Sequence, residues 1–377
     1  MKIVYVVGGL LAPNGMSSVL SVKINYLAEH TDYELYMILT EKAGQKWYYT
    51  INPKVHWVNF DINFDELDTM PLLKNLFFYQ QKQRRYKKMF TDYLMQVRPD
   101  ITVSTVRREI NFINDIPDGS KKVGEIHFSR QFYRQLNKRY FPYCLNRIVS
   151  KMWMSGLIRN LKRLDSFIVL THEDLSNWPE LSNIRVIPNP LISNPNIRSK
   201  GNSKRVIAAG RYSWQKGYDL LIDAWEIVAE HCPDWTLEIY GAGNCMPYKR
   251  MVEEKGLIGK IFCNPATNNI YERYAQASLF VLSSRFEGFG LVIIEAMGAG
   301  LPVVSFACPC GPKDIIEDSV NGLLVKNGDV NQLAMKLIFL MQKDDIRKTM
   351  IPHALRTASN YDIDHIMKLW MNLFEGL

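Results

Sequence analysis

The strongest constraint on the fold is a rhythm that runs through the chain twice. Short, continuous apolar runs are each closed by a glycine or polar loop and followed by a helical pattern. Residues 2–7, 33–39, 101–103, 121–127 and 166–170 form the first series of runs, with a helical stretch at 17–29. Residues 205–209, 236–240, 260–262, 279–282, 302–305 and 323–325 form the second, with helical stretches at 218–230 and 291–300. Runs of this kind are strands buried on both faces, which is the signature of parallel α/β units. Between the two series, residues 189–203 are rich in Pro, Asn and Ser, as a linker would be. The expectation is α/β: two Rossmann-like parallel-sheet domains facing a central cleft. Residues 1–190 form the first and 191–361 the second, with a last helix at about 362–377 packing back on the first.

A length of 377 residues suits two domains. The opening run passes into Gly, Pro and Asn with no small-residue cleavage site, so it reads as a first strand and not as a leader. No window reaches 18 consecutive apolar residues, so no spanning helix is expected. Six scattered cysteines form no CxxC pair and no zinc spacing, which favours a reducing, cytoplasmic setting without disulfides or structural metal.

Ligands of open parallel sheets bind beyond the carboxyl ends of the strands, and that ranks the loops. Gly8-Gly9 to Gly15 joins the first strand to the first helix, where glycines let backbone N–H groups approach an anion. It matches neither a dinucleotide fingerprint nor a P-loop, and a tight turn explains it equally well. Gly210-Arg211 to Lys216-Gly217 places an Arg and a Lys beside orphan helix donors, a group suited to a diphosphate. Ser283 to Gly300 is richer. Glu287 falls in the polar loop, and Glu295 falls in the following helix among apolar neighbours. A part-buried carboxylate needs partners, and a sugar or ribose diol offers two hydroxyl donors; backbone donors would also satisfy it.

Glu287 and Glu295 seven residues apart, Glu-Gly-Phe-Gly, Glu-Ala-Met-Gly-Ala-Gly-Leu-Pro-Val-Val, and the later Gly311-Pro312 and Asn321-Gly322 resemble the signature of glycosyltransferase family 4. The resemblance covers nearly all of the second domain and only the glycine loop, strand order and His127 of the first. It implies a GT-B fold and retaining, metal-independent transfer from a nucleotide diphosphate sugar, with no other cofactor. Arg211, Lys216, Gly9 and Gly15 would then serve the donor diphosphate, and Glu295 the ribose. Glu287 would serve the hydroxyls of the transferred sugar, His127 would contact that sugar, and the backbone of Gly288, Phe289, Gly290 and Leu291 would lie near sugar and phosphate. The chain departs from the pattern at Met16, after Gly15, and at Cys263-Asn264-Pro265, where a glycine is usual.

The formal charge of +8 is uneven: residues 1–200 carry 28 basic and 18 acidic side chains. Residues 74–163 alone hold 20 Lys or Arg against six Asp or Glu. Within them, 130–163 has nine basic residues, no acidic one, and the aromatics Phe132, Tyr133, Tyr140, Phe141, Tyr143 and Trp153. Leu145, Ile148, Val149 and Met152 have helical spacing, with Arg147 and Lys151 opposite, and 82–88 adds a second basic cluster. Such a face suits an anionic membrane surface; solvated helix faces are the plainer reading, and no motif supports nucleic acid.

The sequence reading is therefore a hexosyltransferase using a nucleotide sugar, a UDP-sugar by preference. Its acceptor would be a lipid-linked saccharide or glycan destined for capsule, exopolysaccharide or lipopolysaccharide. It would be cytoplasmic and peripheral on the inner face of the cell membrane. A GT-B nucleotide-sugar epimerase and a non-catalytic sugar-nucleotide or membrane-binding partner subunit are the alternatives.

Overall fold

The computed structural model describes residues 1–11, 14–132, 143–193 and 197–377. It divides into two compact units: Met1–Leu170, Asp174–Ile187 and Met367–Leu377 in one, Thr171–Glu173 and Pro188–Ile366 in the other.

The first unit is a seven-stranded parallel sheet. Its strands are β1 (Lys2–Val7), β2 (Glu34–Leu39), β3 (His56–Asn59), β4 (Ile101–Ser104), β5 (Lys121–Glu125), β6 (Ser166–Val169) and β7 (Ile184–Val186), in the order β3-β2-β1-β4-β5-β6-β7. Strand β1 is apolar from Ile3 to Val7 because it lies inside the sheet with both faces covered. The helix Gly15–His30 begins two residues before the expected start because Asn14 caps it, its side chain accepting from the Ser17 amide at 2.9 Å. Strand β5 ends at Glu125, so His127 lies two residues beyond it and not at its tip.

The second unit holds β8 (Arg205–Ala209), β9 (Thr236–Gly241), β10 (Ile261–Pro265), β11 (Leu279–Leu282), β12 (Val303–Phe306) and β13 (Gly322–Val325), in the order β10-β9-β8-β11-β12-β13. All pairings in both sheets are parallel. Cys263-Asn264-Pro265, expected in a loop, instead extends the edge strand, Pro265 pairing with Gly241. A proline is tolerated there because an edge strand leaves one row of N–H groups unpaired.

The last helix, Ile363–Glu375, runs from the second unit into the first, where Trp370 is fully buried. Among the described residues no helix is long and apolar enough to cross a membrane.

Each sheet reverses its strand order once, between β1 and β4 and between β8 and β11. In open parallel sheets ligands bind beyond the strand ends at such switch points.

Candidate active site

In the second unit the loops after β8 and β11 meet. Gly217 has φ +62°, and a Cβ on it would stand 2.1 Å from the Ser283 carbonyl oxygen, so only glycine lets the loops close. The closure is held from several sides. The Arg285 guanidinium grips Asp219 through two hydrogen bonds of 2.9 and 2.6 Å and donates to the Trp214 carbonyl at 2.7 Å. The Ser283 hydroxyl donates to the Lys216 carbonyl, and the Gln215 amide to that of Phe286.

This packing brings Lys216 and Glu287 together. The ammonium lies 2.7 Å from Glu287 Oε1, and both side chains are mostly buried. Ser284, wholly buried, donates to the same oxygen at 2.5 Å, and the Glu287 amide donates to the Pro309 carbonyl. Among the described residues Oε2 receives no hydrogen bond, so the carboxylate keeps acceptor capacity. Gly288, Phe289 and Gly290 follow, leading into the helix Leu291–Gly298. Their amides find no acceptor among the described residues, and Gly290 sits at φ +92°. A Cβ on Gly311 would strike the Phe289 carbonyl oxygen at 1.8 Å, which explains the Gly311-Pro312 pair. Three idle amides, a helix N-terminus and a lysine form an anion cradle.

Glu295 sits on the same helix and accepts from the Tyr274 hydroxyl at 3.4 Å. Burial pushes its carboxyl up to about 7, with Tyr274 and Lys216 pulling weakly the other way. Arg211 is exposed, and its guanidinium makes no ion pair among the described residues. Arg211, Lys216, Glu287, Glu295 and the backbone of Gly288 to Leu291 thus belong to one unit, at one switch point.

His127, Gly9 and Gly15 lie in the first unit. His127 is buried with Nε2 3.0 Å from Glu125 Oε1; Lys23 binds both oxygens of the same carboxylate at 2.6 and 2.7 Å. Burial acts to raise the Glu125 carboxyl, but Lys23 and then His127 prevail and hold it at about 2. Gly9 has room for a Cβ, and Gly15 is simply the first residue of its helix. The tight glycine is Gly8, where a Cβ would fall 2.6 Å from Arg107 Nη1. Arg107 and Glu41 were missed by the sequence reading. The available signal was their place just after β4 and β2, in strand-end loops that the ranking passed over.

In the basic segment, Arg84, Arg85, Lys87 and Lys88 are exposed on the helix Leu72–Val97, as are Leu76, Phe77 and Phe78. Lys82 is engaged internally, by the Ile62 and Asn63 carbonyls and Glu66. Met152 is exposed, while Val149 and Trp153 are partly covered. Tyr133, Tyr140 and Phe141 lie outside the described residues, as do the side chains of Tyr143, Leu145, Arg147 and Ile148.

Residues 193–357 match the family model of glycosyl transferases group 1, which covers this whole switch-point site. Matched span and fold together set the class: the fold is the two-sheet GT-B architecture, and its second unit carries the match to glycosyl transferases group 1. An uncharacterized glycosyltransferase of Haemophilus influenzae is 29% identical over 238 residues, covering 62% of this chain and 67% of its own length. The poly(ribitol-phosphate) alpha-N-acetylglucosaminyltransferase of Staphylococcus aureus is 30% identical over 226 residues, or 58% of this chain and 46% of that protein. S. aureus TarM, solved with fondaparinux, alpha-GlcNAc-glycerol and UDP, superposes with a TM-score of 0.74 at 18% identity over 99% of both chains. Sucrose-phosphate synthase of Thermosynechococcus elongatus gives 0.78 at 17% identity over 100% of both.

Proposed function

We propose that the protein is a retaining, metal-independent hexosyltransferase. It takes a hexose from a nucleotide diphosphate sugar, a UDP-sugar by preference, and passes it to a lipid-linked saccharide or glycan during assembly of cell-surface polysaccharide. The observation that carries this reading is the Lys216–Glu287 pair beside the idle amides of Gly288 to Gly290, with Glu295 on the helix they open.

Donor diphosphate binds to Lys216, Arg211 and those amides, and Glu295 accepts from the ribose diol. Glu287 accepts from hydroxyls of the transferred hexose through its remaining oxygen, and His127 contacts the same sugar. As the glycosyl–phosphate bond breaks, negative charge grows on the diphosphate and oxocarbenium character on the sugar. Cations and amides already fixed by the Gly217 and Arg285 contacts stabilise that charge without reorganising, the type of contribution that is often largest. Double displacement would need a carboxylate nucleophile opposite the leaving group. Glu287 is tied to Lys216 and Ser284, which supports a binding role for it and same-face attack, with the departing phosphate taking the acceptor proton.

Relatives named as poly(ribitol-phosphate) and poly(glycerol-phosphate) transferases and as an amylovoran biosynthesis glycosyltransferase support a cell-surface acceptor, within which capsule, exopolysaccharide and lipopolysaccharide all fall. Exposed Arg84, Arg85, Lys87 and Lys88, with Leu76, Phe77 and Phe78 on the same helix, support peripheral contact with the anionic inner face of the membrane.

The test is nucleoside diphosphate release from a panel of nucleotide sugars with and without acceptor glycan. Release that requires acceptor, without a trapped glycosyl-enzyme, supports the reading. Acceptor-independent epimer formation, or a covalent sugar on any side chain, overturns it.

A further inference from the structure

The first sheet's switch point also holds a pocket, of about 310 Å³, at the ends of β2, β4 and β5. That volume lies at the small end of ligand sites, enough for one sugar or polyol residue and not a long glycan.

Two side chains in it are unsatisfied by the protein. Glu41 is 7% exposed; its Oε1 accepts from the Phe64 amide at 3.2 Å and from the Thr40 hydroxyl at 3.5 Å. Its Oε2 is buried without a hydrogen-bond partner. A buried acceptor left unpaired is costly, of the order of 1–3 kcal/mol, which suits a site completed by a ligand's donor. Arg107 is half-buried over Gly8 and makes no ion pair among the described residues. Its backbone is held in place: Val106, a β-branched residue, sits at φ +53°, its amide donating to the Ser104 hydroxyl at 2.9 Å. The Arg107 amide in turn donates to Glu109 Oε1 at 3.0 Å. A β-branched residue at positive φ costs about 1–3 kcal/mol, and such strain persists where the surroundings impose it, often at ligand sites. Phe128, 49% exposed, supplies an apolar wall.

Resting on the reading of the first unit as the acceptor side, we propose that this pocket selects an acceptor residue carrying an anionic group next to free hydroxyls. Arg107 binds the anion, Glu41 Oε2 accepts from a hydroxyl, and Phe128 covers the apolar face of the residue. Asp65, Arg108 and Glu109 also line the pocket; a bare anion would be repelled by the carboxylates, and a neutral sugar would give Arg107 no partner beyond the field of Glu41, so the set together favours the combination. A sugar or polyol phosphate and a uronate share this chemistry.

The test titrates the full-length protein with glucose 6-phosphate, glucuronate, methyl glucoside and inorganic phosphate. Either anionic sugar should bind about tenfold or more tighter than methyl glucoside, as a charge-assisted contact implies. Preference between the two names the source. Arg107→Gln should abolish that advantage, Gly8→Ala should reduce it by displacing the guanidinium, and Glu41→Gln should weaken every sugar. Equal binding of methyl glucoside, inorganic phosphate binding as well as glucose 6-phosphate, no binding by both anionic sugars, or an unchanged Arg107→Gln each overturns the proposal. UDP titrated into the same samples separates the two claims. Lost anion preference with UDP binding intact condemns only the pocket, and the reverse condemns the donor reading.

Discussion

Each unit holds a lysine–glutamate pair that is largely buried, and the two pairs are built for different ends. Lys23–Glu125 is sealed: both side chains are 1% exposed, both carboxylate oxygens are engaged, and the Trp370 ring covers the ammonium at 3.5 Å. Lys216–Glu287 is less closed, uses one carboxylate oxygen only, and sits beside idle amides. The same two residue types thus make an internal lock in one unit and a more open pair, proposed to bind the donor, in the other. What separates them is access and spare hydrogen-bonding capacity, and not the ion pair itself. The lock also reaches His127 through Glu125 and the last helix through Trp370, so it orders both at once.

Removing one partner of the sealed pair should have the largest effect. Lys23→Met leaves the buried Glu125 without its ammonium partner, with His127 beside it, and should lower unfolding free energy by about 3–5 kcal/mol in urea titrations. Lys216→Met should lower it by only about 1 kcal/mol, because Ser284 still serves Glu287. A loss as large as that of Lys23→Met would erase the distinction.

Activity should rank the pairs the other way. Lys216→Met should reduce steady-state turnover about 10²–10³-fold, the usual cost of a fixed donor to developing charge. Full turnover in this variant would end the case for the second pair as functional.

The pH response should differ as well. The Glu295 carboxyl titrates near 7 in the folded chain against an ordinary value of 4.5. Between those values the folded state holds a proton that the unfolded state has lost. Stability therefore falls as pH rises from about 4.5 to 7, by at most about 3 kcal/mol. Glu295→Gln should flatten that part of the profile of unfolding midpoint against pH. An identical slope in the variant would locate the titration elsewhere.

The smallest effect concerns the surface of the first unit. Replacing Arg84, Arg85 and Lys88 by Gln should weaken co-sedimentation with anionic vesicles by about 1 kcal/mol per residue at low salt. Equal binding of wild type to neutral vesicles would refute an electrostatic contact.

Most sheet strands could be read in the sequence because interior parallel strands must be apolar on both faces; β1 from Ile3 onward and the whole of β11 are unbroken apolar runs. Strands β3 and β7 escaped because they lie at the sheet edges, where His56 and Trp57 are exposed and Arg185 faces solvent. In the second unit the grouping of Lys216, Glu287 and Glu295 was legible because they fall in two adjacent loops and the helix that follows. In the first unit the pocket is built from residues far apart in sequence. Glu41 and Arg107 are joined only by the strand order β2-β1-β4, and Gly8 matters because Arg107 lies over it and not because it lines a phosphate loop. No local pattern could have singled out those contacts.

The most direct test of the account is calorimetric titration of a UDP-sugar into the full-length protein, with Lys23→Met, Lys216→Met and Glu295→Gln in parallel. The account predicts saturable one-site binding, weakened about tenfold or more by Lys216→Met and by Glu295→Gln at pH 8. The folded fraction of Lys23→Met should bind as wild type does. Unchanged affinity in both Lys216→Met and Glu295→Gln would contradict it.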